Sequence, residues 1–203
     1  YRQEGKYTDK RHPDEIKFAK TIEEDLARRD FTVNAIALSL QGAKRKAQSV
    51  DRNDSRLAIS DSQLVDPFNG QEDIKNKVIR TVGNSEERFN EDALRLMRAV
   101  RLAAELDFGI EKKTVDAIAK MAGLLEMIAR ERIRDEFTKM MMTPKAGDGL
   151  RMITESGLLK YVLSELIEGI GVGQNKHHIY TVFEHNARAL EYAVSKNYSL
   201  EVR

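Results

Sequence analysis

The sequence contains no cysteine among its 203 residues, which excludes a disulfide framework and any site built on a thiolate. This absence fits a reducing compartment, and we expect a cytoplasmic protein. No apolar run approaches the about 20 residues that a membrane helix requires, so no membrane partner is expected. Only three prolines and twelve glycines occur, which excludes a low-complexity chain.

An excess of charge of one sign is missing as well, since 34 basic residues face 33 acidic ones. Bulk electrostatics therefore give no argument for nucleic-acid binding, and any such function must come from particular residues. With 41% hydrophobic and 33% charged residues, the chain is globular, with room for one or two domains. It opens on Tyr1 without a charged and then apolar leader, and we expect a piece of a longer protein.

The most regular pattern covers residues 88–108, where apolar side chains recur at three- and four-residue spacing. This spacing predicts one continuous helix, with Asn90 placed to cap its start. Along it, an aspartate and then three arginines recur every third residue, a row that drifts about 60° per step. The residues expected to share one face, the last of them on its flank, are Asp92, Arg95, Arg98 and Arg101.

Asp92 and Arg95 combine an acceptor-only carboxylate with a donor-only guanidinium about one turn apart. Adenine and cytosine present an amino group beside an unprotonated ring nitrogen, whereas guanine and uracil present a carbonyl beside an N–H. The carboxylate can accept from the amino group while the guanidinium donates to the ring nitrogen, so the pair suits A and C. A wrong base would leave buried polar groups unpaired. An ordinary intrahelical ion pair on a solvated face is the alternative that the spacing leaves open.

Further arginines are suited to the rest of a nucleotide. A planar cation with several donors holds phosphate well, which indicates this role for Arg98 and Arg101. Residues 23–39 show an acidic start and an apolar body typical of a helix, broken near Asp30, which could cap a second helix. Arg29 lies beside that second start, where a helix N-terminus favours phosphate or ribose. A surface helix with an exposed cation is the alternative.

The remaining segments suggest the architecture. Residues 41–56 are polar and locally basic and indicate a loop or insertion, while 56–60 and 63–66 alternate as a predicted hairpin. The segment Asp-Pro-Phe-Asn-Gly at 66–70 predicts a domain boundary. Periodicity then predicts only helices, at 71–78, 85–106, 112–121, 131–142, 147–157 with a continuation to 166, and 180–195. The predicted fold class is mainly α-helical with a small N-terminal α+β portion.

Four blocks in a fixed order resemble a known family. They are Glu-Asp-Leu-Ala-Arg-Arg-Asp-Phe-Thr-Val-Asn-Ala at 24–35, Asp-Pro-Phe-Asn-Gly at 66–70, Glu-Asp-Ala-Leu-Arg at 91–95 and Glu-Arg-Ile-Arg-Asp-Glu at 131–136. They resemble class II nucleotidyltransferases, which include bacterial CCA-adding tRNA nucleotidyltransferases and poly(A) polymerases. The resemblance covers residues 1–160, with the basic stretch at 41–56 as its main departure. It implies a partial catalytic head over 1–70, a helical nucleotide-selecting neck over 71–160 and a helical body over 161–203.

The resemblance also implies roles for individual residues. In that family the second arginine of the first block contacts the incoming nucleotide, which points to Arg29, and Asn34 is a further candidate for the ribose. The third block is a protein template for the base, which by matching positions is Asp92 with Arg95. The fourth block steadies the template helix, and the second resembles a flexible joint between head and neck. The implied nucleotide-binding residues are Arg29, Asp92, Arg95, Arg98 and Arg101.

The family's glycine-rich turn and Asp-x-Asp pair, which hold two magnesium ions, are not found in this sequence. We expect them upstream of Tyr1, so no catalytic residue is assigned and the chain alone is expected to be inactive. The resemblance implies addition of CCA, or part of it, to tRNA from CTP and ATP, by attack of the terminal 3′-hydroxyl on the α-phosphate with release of pyrophosphate. Poly(A) polymerase activity is one alternative, and a non-catalytic helical RNA-binding or regulatory module is another.

Three histidines near the C-terminus, His177, His178 and His185, accompany a segment that resembles the opening of HD phosphohydrolase domains. Those domains require a later His-Asp pair and a distal aspartate, which do not follow here. Helical histidines beside an apolar face are more often structural, so no metal site is assigned within the chain.

Overall fold

The computed structural model describes residues 3–4, 16–17, 19–39, 63–175 and 178–202. The predicted insertion at 41–56, the first strand of the predicted hairpin at 56–60, and His177 lie outside these residues. The helices are α1 (Ile22–Ala27), α2 (Gly70–Lys75), α3 (Ser85–Glu91), α4 (Leu94–Leu106), α5 (Lys112–Met121), α6 (Arg130–Met141), α7 (Ala146–Glu155), α8 (Leu159–Val162) and α9 (Val182–Ser195). Short 3-10 turns cover Thr32–Asn34, Ala122–Met127 and Ser164–Gly169.

Six short strands pair in twos within the described residues. They are β1 (Gln3–Glu4), β2 (Ile16–Lys17), β3 (Ala37–Ser39), β4 (Gln63–Val65), β5 (Val78–Ile79) and β6 (Gly109–Ile110). The pairs β1–β2 and β3–β4 are antiparallel, and β5–β6 is parallel. The predicted fold class, mainly helical with a small N-terminal α+β portion, is confirmed. The prediction of helices alone beyond residue 70 is wrong at β5 and β6.

The predicted break near Asp30 agrees with the structure, in which α1 ends at Ala27. The predicted second helix after Asp30 is wrong, because those residues form the 3-10 turn Thr32–Asn34 and strand β3. Phe31 lies in extended backbone that bridges to Thr81, and residues 37–39 pair with β4. Asp30 does not cap a helix, because its carboxylate accepts from the adjacent N–H of Phe31 at 2.9 Å. Backbone pairing with distant segments therefore overrides the local apolar spacing.

The predicted hairpin assigns residues 56–60 as the partner of 63–66. In the structure, β4 pairs with β3, which comes from the segment that the sequence predicts as helical. Residues 37–39 therefore belong to the small α+β portion, and the segment 56–60 lies outside the described residues.

The predicted single helix over residues 88–108 is two helices, α3 and α4, separated at Asp92. The backbone of Asp92 is extended, at φ −145° and ψ 106°. Its Oδ1 accepts the N–H of Leu94 at 3.0 Å, so this carboxylate satisfies a donor at the start of α4. The predicted capping residue, Asn90, lies inside α3, whose start is capped by Asn84.

The hydrophobic core centres on α4, which packs against α6 and α7. The fully buried Met97 of α4 meets residues such as Met140 of α6 and Ile153 of α7 in one cluster. Phe31 and Ile79 join the same cluster from the N-terminal part of the chain. Each large apolar side chain that is fully buried contributes about 1.5–3 kcal/mol. The core therefore fixes α4 with its polar side facing the turn after α1 and one side of α6.

The predicted helix at 147–157 with a continuation to 166 is divided into α7, α8 and a 3-10 turn. Gly157 has φ +76°, a conformation that glycine adopts without steric cost, and it ends α7. The predicted helix at 180–195 begins two residues later, where Thr181 caps α9 by accepting the N–H of Glu184 at 3.2 Å. Within the described ranges, no helix is both long and apolar enough to cross a membrane.

The segment at 66–70 packs tightly on the residues that precede it. Asp66 accepts the N–H of Gly70 at 2.7 Å, and Gly70 is buried where α2 begins. Asp73, also buried, accepts from the hydroxyl of Thr32 and from Nε of Arg80, the latter at 2.9 Å. The residues on both sides of this segment are thus joined through α2. The domain boundaries at 70 and 160 stay predictions.

Replacing Gly70 with alanine is expected to destabilise the fold. A Cβ at this position would lie 2.2 Å from the backbone oxygen of Thr32, and backbone cannot move as a flexible side chain does. Overpacking of this kind costs about 1–3 kcal/mol, occasionally more. Thermal unfolding followed by circular dichroism measures the loss.

Gly123→Ala is the control for the Gly70 variant, because among the described residues a Cβ at Gly123 would meet the Tyr161 hydroxyl alone, at 3.5 Å. An ordinary contact of this length predicts little change. Equal unfolding temperatures for the two variants would contradict the close approach at Gly70.

Candidate nucleotide-selecting site

The residues predicted to bind a nucleotide come from two parts of the chain. Arg29 lies in the turn after α1, Asp92 lies at the break between α3 and α4, and three arginines follow along α4. The segment 30–32 runs antiparallel beside 80–82, with Val82 N–H donating to the Asp30 carbonyl at 3.0 Å. This pairing brings the turn after α1 to the polar side of α4.

Both carboxylate oxygens of Asp92 are oriented by the protein. Oδ1 accepts the N–H of Leu94 at 3.0 Å, and Oδ2 accepts from Nη2 of Arg132, in the first turn of α6, at 2.8 Å. The side chains of Asp92 and Arg132 are 19% and 26% exposed. Each oxygen retains a second lone pair, so the carboxylate can still accept from a ligand. The intrahelical pair of Asp92 with Arg95, the alternative left open by the spacing, is not formed.

Arg95 is held by residues one and two turns earlier in the chain. Its Nη1 donates to Glu91 Oε2 at 2.6 Å and to the carbonyl of Arg88 at 3.1 Å. Arg88 also pairs with Glu91 at 3.0 Å, and its Nη1 donates to the carbonyl of Ala27 at 3.2 Å. Only 12% of the Arg95 side chain is exposed. The guanidinium is therefore fixed close to the break at Asp92.

Arg98 forms an ion pair across 68 positions of sequence with Asp30. Both Nε, at 2.8 Å, and Nη2 of Arg98 donate to Oδ2 of Asp30. Burial alone would raise the pKa of the Asp30 carboxyl, but the charge of Arg98 and hydrogen bonds from Arg98, Asn34 and Phe31 lower it below its ordinary value. Burial would likewise lower the pKa of Arg98, and the charge of Asp30 raises it instead. Both groups are charged at neutral pH.

Arg101 lies between two carboxylates. Its Nε donates to Glu136 of α6 at 2.7 Å, and its Nη1 pairs with Glu105. Glu136 is buried and also accepts from Lys139 at 2.9 Å. Burial opposes ionisation of Glu136, but the hydrogen bonds from Lys139 and Arg101 lower its pKa. Of the three arginines on α4, Arg101 is the one with two carboxylate partners, which makes it the least available to a ligand.

Arg29 is the most accessible of the predicted residues, with 47% of its side chain exposed. It pairs with Asp25 at 3.2 Å, and Asp25 also binds Arg28 at 2.8 Å. Asn34, the further candidate for the ribose, donates to Oδ1 of Asp30 at 3.3 Å. Arg29 therefore precedes Asp30 in sequence and pairs with Asp25, whereas Arg98 pairs with Asp30 itself.

Several members of this charged cluster are not predicted from the sequence. The sequence indicates a helix cap at Asp30 and gives Arg132 no individual role within its block. Arg132 and Glu136 lie four residues apart on the side of α6 that packs against α4. The sequence signal that could have indicated these two residues is a charged residue on the same face of α6 as the buried apolar Ile133 and Met140. It cannot reveal the partner, which lies 35 to 40 residues away in the sequence.

A groove of about 710 Å³ lies elsewhere. Its lining includes Phe68 of the 66–70 segment, Asn84 before α3 and Lys120 of α5. None of the five predicted residues lines it. The candidate site at the α3–α4 break therefore lies outside this groove.

A magnesium ion does not fit the residues that the structure describes. These residues contain no group of three or more histidine, cysteine, aspartate or glutamate side chains able to hold a metal ion. Near α9, the rings of His178 and His185 meet edge to face at 6.0 Å between centroids. The cluster around α4 is instead suited to binding a nucleotide through charge and hydrogen bonds.

Comparison with known proteins places the chain in a family. A family model described as Poly A polymerase head domain matches residues 1–80, and one described as Probable RNA and SrmB- binding site of polymerase A matches residues 107–169. The CCA-adding enzyme of Enterococcus faecalis is 42% identical over 172 residues, which are 85% of this chain and 37% of that enzyme. That of Lactobacillus helveticus is 43% identical over 158 residues, 78% of this chain and 35% of that enzyme.

The chain belongs to the class II nucleotidyltransferase family. Among solved structures of this family, the Bacillus stearothermophilus CCA-adding enzyme in complex with CTP has a TM-score of 0.64 at 38% identity, covering 77% of this chain and 35% of that chain. A tRNA nucleotidyltransferase complexed with a primer tRNA and an incoming ATP analog has a TM-score of 0.63 at 25% identity, covering 89% of this chain and 45% of that chain. The predicted partial nucleotidyltransferase head followed by a helical region is confirmed.

The chain spans 35% to 37% of the length of these curated relatives. The five predicted nucleotide-binding residues of this class II nucleotidyltransferase fall within the described ranges. Four of them lie on or beside α4, and each of the five has an oppositely charged partner in the structure. Their role toward a nucleotide stays a prediction.

Proposed function

We propose that this chain is the nucleotide-selecting part of a tRNA nucleotidyltransferase that adds CCA, or part of it, to tRNA 3′ ends from CTP and ATP. The observation that carries the proposal is the break at Asp92. There a carboxylate oriented by Arg132 lies three residues before Arg95, whose backbone N–H donates to the Asp92 carbonyl at 3.1 Å. Glu91 and the Arg88 carbonyl hold the Arg95 guanidinium in place. Relatives named CCA-adding enzyme, and a related structure in complex with CTP, support this assignment.

Base selection follows from the donors and acceptors at the break. Asp92 accepts from the exocyclic amino group of cytosine or adenine, while Arg95 donates to the unprotonated ring nitrogen beside it. Uracil and guanine present a carbonyl to the carboxylate and an N–H to the guanidinium, so both contacts fail. Because the two side chains are already held by protein partners, little ordering is required when the base binds.

The phosphate and ribose side of the nucleotide is assigned to Arg29, Arg98 and Arg101. Guanidinium groups deliver charge-assisted hydrogen bonds to phosphate oxygens whichever base is attached. Arg29 and Arg98 are the more exposed, at 47% and 33% of the side chain. Arg101, at 12% exposure, contributes mainly through its charge unless it leaves Glu136.

The catalytic carboxylates are assigned to a part of the protein beyond the described residues. The described residues bind and select the nucleotide and orient its base and phosphates. Magnesium, the cofactor implied by the family resemblance, would be held by carboxylates outside this chain and would stabilise charge on the reacting phosphate.

The test is nucleotide addition by the complete gene product and by the 203-residue chain alone. Each is supplied with magnesium, a tRNA that lacks its 3′ end, and either CTP, ATP or both. The complete protein is expected to extend the tRNA with C and A. The chain alone is expected to add no nucleotide, because its described residues contain no metal-binding cluster.

The controls separate the alternatives. Extension with ATP only, in long tracts, would show poly(A) polymerase activity instead. Tight tRNA binding without any extension by the complete protein would show a non-catalytic RNA-binding module. Robust addition by the chain alone would contradict the assignment of the catalytic carboxylates to another part of the protein.

A further inference from the structure

Asp30 is a buried residue whose carboxylate contacts Arg98, which is predicted to bind the nucleotide. The two residues come from distant segments of the chain. Asp30 is 8% exposed, and both of its oxygens accept hydrogen bonds. Oδ1 accepts from the Phe31 N–H at 2.9 Å and from Asn34 at 3.3 Å, and Oδ2 accepts from Nε, at 2.8 Å, and Nη2 of Arg98. Base selection at Asp92 and Arg95 does not use it.

The backbone that carries Asp30 is fixed on both sides. Its carbonyl accepts the Val82 N–H at 3.0 Å, and two residues later the Thr32 N–H donates to the Arg80 carbonyl at 2.9 Å. Phe31, between them, is fully buried in the core cluster that also contains α4. The carboxylate is therefore a rigid point in the N-terminal part of the chain, placed against the middle of α4.

This geometry determines which edge of Arg98 remains for a ligand. Nε and Nη2 donate to the same oxygen of Asp30, while Nη1 makes no hydrogen bond to any residue in the described ranges. A guanidinium that donates hydrogen bonds from two nitrogens keeps one orientation. The entropic cost of ordering this side chain is therefore not added when a ligand binds. One third of the Arg98 side chain, 33%, is exposed, which leaves Nη1 accessible.

We propose that Asp30 is a positioning residue that holds Arg98 with Nη1 directed to a phosphate or ribose oxygen of the nucleotide. Arg29, its neighbour in sequence, pairs with Asp25 instead. The inference rests on the proposed function, since it concerns the nucleotide of that reaction. It adds a residue that touches no substrate but sets the affinity for every nucleotide equally.

The experiment measures binding of CTP and ATP to the complete protein by calorimetric titration, for the wild type and Asp30→Asn. Asparagine keeps the size of the side chain but removes the charge that holds Arg98. We expect binding of both nucleotides to weaken by the same factor, about fivefold to tenfold. This is less than the about tenfold to hundredfold expected when a hydrogen bond to a charged group is lost entirely, because Arg98 itself remains. The ratio of CTP to ATP affinity and the kcat at saturation are expected to stay unchanged, and Asp30→Glu is expected to recover part of the affinity.

Asp73→Asn is the matched control, because Asp73 is similarly buried at 7% and pairs with an arginine, Arg80, at 2.9 Å. It is expected to lower the unfolding temperature without changing nucleotide affinity. The double variant of Asp30→Asn with Arg98→Ala is expected to bind no more weakly than Arg98→Ala alone, because the two residues act through one contact.

Three outcomes decide whether Asp30 positions Arg98. If the wild type binds neither CTP nor ATP, the proposed function fails and the positioning role fails with it. If the wild type binds both and Asp30→Asn binds equally well, the positioning role alone is overturned. Equal loss of affinity in Asp30→Asn and Asp73→Asn would overturn it too, since the effect would then be one of general stability.

Discussion

Replacement of Arg95 by alanine is expected to relax base selection, so that UTP and GTP gain about tenfold to hundredfold relative to CTP and ATP. The reason is that the Arg95 guanidinium donates to the unprotonated ring nitrogen of cytosine or adenine and repels the ring N–H of uracil or guanine. The alanine variant lacks this donor. Incorporation of CTP and ATP should fall, because these bases lose a charge-assisted hydrogen bond. Single-nucleotide incorporation by the complete protein, with each of the four nucleotides in turn, measures the change.

The control for Arg95→Ala is Arg134→Ala on α6. The side chain of Arg134 is 71% exposed, and within the described part of the chain its ion pair is with its neighbour Asp135 at 3.4 Å. Its removal deletes the same charge without touching the break at Asp92. Unchanged selectivity in this control and altered selectivity in the Arg95 variant support the template. Selectivity that is the same in the Arg95 variant as in the wild type would remove Arg95 from base recognition.

The sequence predicts a helix correctly where the spacing of its apolar residues is not interrupted by a side-chain cap or by pairing with a distant segment. The helix predicted over 112–121 is confirmed as α5, because its periodicity, its flanking residues and its length all agree. The predicted helix over 88–108 is wrong at Asp92, because a side-chain cap at a break leaves the apolar spacing on both sides intact. The spacing of apolar residues indicates which face of a helix is buried. It does not indicate whether the side chain of an aspartate has replaced a backbone hydrogen bond and ended the helix.

The candidate site divides in the same way. The acceptor and donor at positions 92 and 95 can be proposed from the sequence because the chemistry of the two side chains is intrinsic to them. Their partners cannot, since Arg132 lies 40 positions from Asp92 and Asp30 lies 68 positions from Arg98. Pairing at such separations is set by the packing of α4 on α6 and on the buried Phe31. It is therefore a property of the tertiary fold.

The partners change how the arginines of α4 are interpreted. Spacing alone places Arg98 and Arg101 in one series, with Arg101 at its flank. In the structure, Arg98 has one carboxylate partner and one third of its side chain exposed, whereas Arg101 is shared between Glu136 and Glu105 and is 12% exposed. On the proposed function, a nucleotide phosphate would reach Arg98 at a lower free-energy cost than Arg101, which would have to leave a buried carboxylate unpaired.

Arg98→Ala is accordingly expected to weaken CTP and ATP by similar factors, about tenfold to hundredfold, the loss typical of a hydrogen bond to a charged group. A guanidinium that contacts phosphate or ribose does not distinguish the bases, so the ratio among the four nucleotides should stay as in the wild type. Calorimetric titration of the complete protein measures both quantities. Arg130→Ala is the control, because Arg130 lies exposed on α6 and donates to the Tyr161 carbonyl at 2.7 Å, away from α4.

Comparing the nucleotide affinities of Arg98→Ala with those of Arg95→Ala tests whether the two arginines have different roles. If the α3–α4 break reads the base and the continuation of α4 holds the phosphate, Arg95→Ala changes the ratio among bases and Arg98→Ala changes only the overall affinity. Discrimination between CTP and UTP that falls as much in Arg98→Ala as in Arg95→Ala would contradict this division. Because Asp30 fixes Arg98 by two of its nitrogens, the guanidinium cannot turn toward the base without breaking a buried ion pair. The geometry therefore favours a base-independent role.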